Sequence, residues 1–226
     1  MALGWDSSVT DIFQEVDEEV RREQLKKLWE RYGNHLIALC ILVVVGVGAW
    51  RGYEWWQAKQ AAQSGVAFEQ AVALAQSGKH EEAAAAFAKL ASEGTASYRV
   101  LARLREAAEL ASSDKKAATA AYQTIATDKN AGQVIQDLAA VRAALLQVDA
   151  APYSELRASL EPLTASDRPF RHSAREVLAL SAWKAGDAAE TRRWTEMMMA
   201  DPLTPPDTRS RAAILSELVA AASAKG

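Results

Sequence analysis

Apolar and polar positions divide the chain into three stretches. Residues 36–50 read Leu-Ile-Ala-Leu-Cys-Ile-Leu-Val-Val-Val-Gly-Val-Gly-Ala-Trp and carry no charge. These 15 residues alone make a helix of about 22 Å, short of a hydrocarbon core about 30 Å thick. Their flanks complete the length. Trp29 and Tyr32 precede the run and Trp50, Tyr53, Trp55 and Trp56 follow it, as two aromatic collars at interfacial height. The pattern predicts a single membrane span over 32–56, about 36 Å long. Leu36, Ile37, Leu39, Ile41, Leu42, Val43, Val44, Val45 and Trp50 form its apolar body.

Before the span the period changes. Ile12, Val16 and Val20, then Leu25, Leu28 and Trp29, make an amphipathic stripe. Acids crowd its first half and bases its second, as a helix dipole favours. Residues 1–31 read as an amphipathic arm, lying on the membrane surface or docking on a membrane partner.

After the span, helical periods recur with a longer repeat. Residues 64–97 hold Ala67, Ala71 and Leu74, a turn at Ser77-Gly78-Lys79, then Ala83, Phe87 and Leu90. The next segment repeats the plan with Ala107, Leu110, Ser112-Ser113-Asp114, Ala118 and Tyr122. Leu74 and Leu110 are 36 residues apart and Phe87 and Tyr122 are 35. Small residues, a turn and then Ala with an aromatic four later resemble a tetratricopeptide (TPR) unit, a helix-turn-helix of about 34 residues. A third unit is looser, with a seam at Val134, Leu138, Val141, Leu145 and Val148 followed by Leu156, Leu160 and Leu163 on a shorter helix. A fourth has Val177, Leu178 and Trp183, the turn Ala185-Gly186-Asp187, then Trp194 and a closing Asp201-Pro202. Pro205-Pro206 opens a last helix whose Ile214, Leu215, Leu218 and Val219 are expected to cap the stack. Residues 57–226 therefore read as a TPR-like array of helical hairpins, and the chain as all-α.

Composition agrees. Of 226 residues, 11 are Gly and 6 Pro, so long stretches lack turn signals while alanine abounds. The formal net charge of −3 suggests no nucleic-acid partner. The one cysteine, Cys40, lies inside the apolar run, which excludes a disulfide within the chain.

Charge also orients the span. Arg21, Arg22, Lys26, Lys27 and Arg31 precede it, whereas only Arg51 and Lys59 follow closely. The arm should face the cytoplasm and the rest should be translocated, into the periplasm of a bacterium. An n-region exceeding 30 residues and the bulky Arg51-Gly-Tyr-Glu-Trp-Trp exit favour an uncleaved anchor over a signal peptide.

Catalytic chemistry has no sequence signature. His35, His80 and His172 are far apart and none has a zinc-helix spacing. No phosphate loop or nucleophile elbow is present. Carboxylates are expected on solvated helix faces. The reading is of a non-enzyme with no cofactor, metal or small-molecule substrate. Met197-Met198-Met199 should divide between core and surface, and Trp183 and Trp194 should pack in the core.

A cytoplasmic arm, one span, an aromatic exit and a divergent TPR domain resemble the YfgM-type family of bacterial membrane proteins, in its alphaproteobacterial form. The resemblance is carried by Val16-Asp17-Glu18-Glu19-Val20-Arg21-Arg22-Glu23, Leu25-Lys26-Lys27-Leu28-Trp29, the Gly48–Trp56 exit and the Gly78 repeat. It implies an ancillary subunit of the SecYEG translocon whose periplasmic domain associates with a membrane-anchored chaperone and assists exported proteins. The alternative is an accessory or assembly subunit of another inner-membrane complex, such as a respiratory one.

Overall fold

The computed structural model describes residues 7–223, with the side chains of Lys26 and of residues 29–222. Among the described residues there are nine α-helices, one short 3-10 helix and no strand. The helices are α1 (Ser7–Gln76), α2 (His80–Glu93), α3 (Ala96–Leu110), α4 (Lys115–Thr127), α5 (Gln133–Gln147), α6 (Tyr153–Leu160), α7 (Arg171–Lys184), α8 (Ala188–Ala200) and α9 (Pro206–Ser223). The 3-10 helix, Glu161–Thr164, extends α6. Their arrangement is TPR-like.

The chain divides between Lys59 and Gln60 into two compact units. In the first, α1 leaves every residue from Leu36 through Trp50 exposed, and this is the one described helix long and apolar enough to cross a membrane. Gly33 lies under the Trp29 ring, where an added Cβ would sit 3.3 Å from the indole. The absent side chain lets that aromatic lie flat along the helix. At the other collar Lys59 Nζ stands 5.4 Å from the Trp55 ring. The side chains of Ile12, Val16, Val20, Leu25 and Leu28, on which the expected arm stripe rests, lie outside the described residues.

In the second unit the helices pair in chain order: the end of α1 with α2, α3 with α4, α5 with α6, and α7 with α8, with α9 on the last pair. Turn chemistry ends the helices. Lys79 N donates to Leu74 O and Gly78 N to Ala75 O, both at 3.0 Å. Asp187 N to Ala182 O and Gly186 N to Trp183 O, again at 3.0 Å, repeat the motif. This paired bonding closes a helix C-terminus around a left-handed residue, and Gly78 and Gly186 both have φ of +76°. Two helix starts carry side-chain caps: Asp114 accepts from Lys116 N and Ala117 N, and Asp187 from Glu190 N.

Three apolar clusters fill the stack. Ala71, Ala83, Phe87, Leu90 and Ala102 form the first, with Phe68 edge-on to Phe87 at 5.4 Å. Ala107, Tyr122, Ile125, Ala139 and Ala143 form the second. The largest joins α5 through α9 around Leu178, Trp194 and Met198.

Candidate interaction surface

The stack is assembled on a register of small residues. Ala71, Ala107, Ala143, Ala179 and Leu215 succeed one another at 36-residue steps, and each is buried. They lie on α1, α3, α5, α7 and α9, the first helix of each pair and the final helix. A methyl group at each helix contact permits close approach, and Leu215 appears only on the last helix.

The other repeat positions are placed as follows. Ala83, Phe87, Ala118, Tyr122 and Trp194 are buried. Leu74 packs on the first cluster and Trp183 on the third, both partly exposed. Leu110 is half-buried and belongs to no cluster. Of the methionines, Met198 is buried, Met197 packs at the core edge and Met199 is exposed.

Three expectations need correction. On α5 only part of the expected seam faces inward: Val141 is buried and Val148 packs on the core, Leu138 is half-buried, and Val134 and Leu145 are exposed, while Asp137, Ala139, Ala143 and Ala144 are buried. This helix is enclosed by α4, α6 and α7, so several faces are inward at once, and alanines fill the closest contacts beside Val141. On α9 only Leu215 and Val219 face the stack; Ile214 and Leu218 are exposed, because the buried face also takes Thr208 and Ala212. Finally, two carboxylates expected in solvent, Glu109 and Asp137, are buried. Glu109 Oε2 meets His80 Nδ1 at 2.7 Å and ties the start of α2 to the end of α3.

Polar ties hold the later repeats. Tyr153 on α6 donates to Glu190 Oε2 at 2.6 Å and accepts from Trp194 Nε1 at 2.8 Å. Burial, with that bond to Glu190, pushes the Tyr153 phenol up to about 12. Arg193 reaches Glu161 at 3.0 Å and stacks over the Trp194 ring at 4.5 Å. Beyond α8, Asp201 Oδ2 accepts from Arg171 Nε at 2.9 Å and Arg175 Nη1 at 3.0 Å. The hydrogen bond from Arg171, with those from Leu203 N and Arg175, holds the Asp201 carboxyl well below the usual carboxylate range. His172 bonds Thr204 Oγ1 at 3.0 Å, and burial, reinforced by Arg171, lowers its imidazole.

Between the second and third repeats lies a cleft of about 390 Å³. Gln123, Ala126 and Thr127 of α4 form one wall, Asp137, Ala140, Ala144 and Gln147 of α5 the floor, and Glu155, Leu156, Ser159, Leu163 and Arg168 the other wall. Asp137 Oδ1 is 3.4 Å from Arg168 Nη2, and its buried Oδ2 has no hydrogen-bond partner among the described residues. Burial pushes the Asp137 carboxyl up; Arg168 opposes this and Asp167 adds to it. A second cleft, of about 360 Å³, opens between the end of α1 and α2 beside Ser64, Ala67, Ala71 and Leu90. Among the described residues no group of His, Cys, Asp and Glu has the geometry of a metal site. Sequence reading missed Asp137, since one acidic residue on a helix carries no sign of burial. The 36-residue step from Ala107 to Ala143 was the signal that could have placed α5.

The surface offers clefts between helices of mixed apolar and polar character. The family model for the tetratricopeptide repeat-like domain matches residues 26–193, a region that takes in the apolar run as well as the paired helices. No curated protein and no solved structure matches the chain. A TPR-like all-helical fold is typically a protein-interaction module rather than an enzyme. With the paired helices, the repeated glycine turns and a family match over most of its length, the chain belongs to the tetratricopeptide repeat-like domain family.

Proposed function

We propose that the chain is a non-enzymatic, single-pass protein-interaction subunit of a bacterial inner membrane, with residues 1–31 cytoplasmic, 32–56 in the membrane and 57–226 in the periplasm. One observation carries the reading: a wholly exposed apolar helix segment belongs to the same chain as a TPR-like stack. An exposed apolar surface of that extent is costly in water and is accounted for by lipid. Aromatic collars at Trp29 and Tyr32 and at Trp50 through Trp56 fit the interfaces, and the excess of bases before the span supports the orientation.

Within that setting the repeat domain serves as an accessory to the SecYEG translocon, engaging periplasmic chaperones or emerging polypeptides. Support comes from the order of arm, span and repeats and from the residue stretches resembling YfgM-type proteins. Photo-crosslinkers at positions 77 and 185, beside the two glycine turns, test this in native membranes with products identified by mass spectrometry. Translocon subunits and a membrane-anchored chaperone are the expected products. A stoichiometric respiratory complex without translocon subunits overturns the assignment and favours an accessory role there.

A further inference from the structure

The cleft between α4, α5 and α6 is lined by a buried acid whose hydrogen-bonding capacity is only partly used. Asp137 has a side chain only 4% exposed and a carboxylate oxygen with no partner among the described residues. An unsatisfied buried acceptor costs the fold free energy. At an ordinary helix contact an alanine would serve, as it does at Ala139, Ala143 and Ala144 on the same helix. A buried carboxylate held at such cost, on a residue that lines an open cleft, marks a candidate site.

The surroundings specify the ligand's chemistry. Asp137, Asp167 and the cleft residue Glu155 supply three carboxylates against the single guanidinium of Arg168, so the local field favours a cation. Arg168 Nη2 lies 3.4 Å from Oδ1, and Oδ2 has no hydrogen-bond partner among the described residues. Ala140, Ala144 and Leu163 line the path with apolar surface, which suits the methylene stem of a long basic side chain. A volume of about 390 Å³ lies at the lower end of ligand pockets and accommodates one such side chain.

We propose that this cleft takes a lysine or arginine side chain of a partner polypeptide, its cation paired with the Asp137 carboxylate and its stem along Ala140, Ala144 and Leu163. The proposal rests on the protein-interaction reading and adds the anchor by which a polypeptide is held. A charge-assisted bond inside a partly desolvated cleft selects for charge more strongly than one at the surface.

The full chain in lipid nanodiscs tests the site by fluorescence anisotropy. The probes are two labelled twelve-residue Gly-Ser peptides, one with a central arginine and one with citrulline, its neutral isostere. The arginine peptide should bind about tenfold more tightly, the scale of one charge-assisted hydrogen bond. Asp137→Asn should bring the two peptides to equal affinity, with circular dichroism melting to confirm folding. Ser159→Trp, which fills the cleft from an exposed position and keeps the Asp137–Arg168 pair, should do the same. Equal binding of both peptides, binding of neither, or a preference surviving Asp137→Asn overturns the site; the cleft then holds water only. Crosslinking to polypeptide partners in native membranes that is unchanged by Asp137→Asn also overturns the site while leaving the interaction reading standing. Failure of the wild-type chain to crosslink any polypeptide overturns the interaction reading instead.

Discussion

Arg175 Nη1 donates to Asp201 Oδ2 at 3.0 Å, across the groove between α7 and the segment leaving α8. The same guanidinium reaches Thr164 O through Nη2 at 2.7 Å. Arg175 is buried, so one side chain joins the third repeat's 3-10 turn, the fourth repeat and the approach to α9. The Asp-Pro at 201–202 thus ends α8 with a carboxylate that neutralises buried charge.

Loss of that carboxylate should destabilise the repeat domain. Asp201→Asn leaves Arg175 and Arg171 without their anion and is expected to cost about 3 kcal/mol. The sign with pH follows from the depressed Asp201 ionisation. Its contribution is complete above the unfolded value of about 3.9 and is lost as pH falls toward the lower folded value. Thermal melts from pH 7 to pH 2 should show the two proteins converging below about pH 4; a constant gap would refute the linkage.

Gly78 and Gly186 should be intolerant of side chains for a backbone reason alone. Both have φ of +76°, and nothing lies within 4 Å of where a Cβ would sit, so crowding plays no part. Gly78→Ala and Gly186→Ala should each cost about 1–2 kcal/mol, and Gly186→Asn less, because Asn tolerates left-handed backbone. Urea titration reads the order. An Asn variant as unstable as Ala would contradict it.

Phe87 carries the first repeat. It is fully buried against Ala71, Ala83 and Phe68, and Phe87→Ala should cost about 3–5 kcal/mol. Hydrogen exchange should show the loosening first in α2 and the adjoining end of α1. Uniform loosening through α9 would indicate one cooperative unit instead of locally coupled repeats.

Orientation of the span can be read chemically because Cys40 is the single cysteine. In a Cys40→Ser background, Ser77→Cys lies on an exposed turn of the domain assigned to the periplasm. An impermeant maleimide added to intact spheroplasts should label it. Labelling only after membrane disruption would reverse the assigned topology.

The sequence alone carried what depends on local chemistry and on period. Residues 36–50 announce an apolar segment because the absence of charge needs no partner to be seen. Gly78 and Gly186 announce their turns because left-handed backbone restricts the residue type at one position. The all-helical class follows from alanine and from a plan that repeats every 35 or 36 residues. Tertiary structure decided which face of each helix is inward. On α5 the apolar positions are compatible with a Val134-to-Val148 seam, yet the helix is enclosed on several sides and buries alanines and Asp137 beside Val141, while Val134 and Leu145 are exposed. On α9 the inward row is Thr208, Ala212, Leu215 and Val219, and no local rule separates Leu215 from Ile214. The same enclosure put Asp137 at the floor of a cleft beside Arg168, 31 residues away in sequence. Burial of a carboxylate is a property of the assembled neighbours, and a helical period read along one segment contains no information about them.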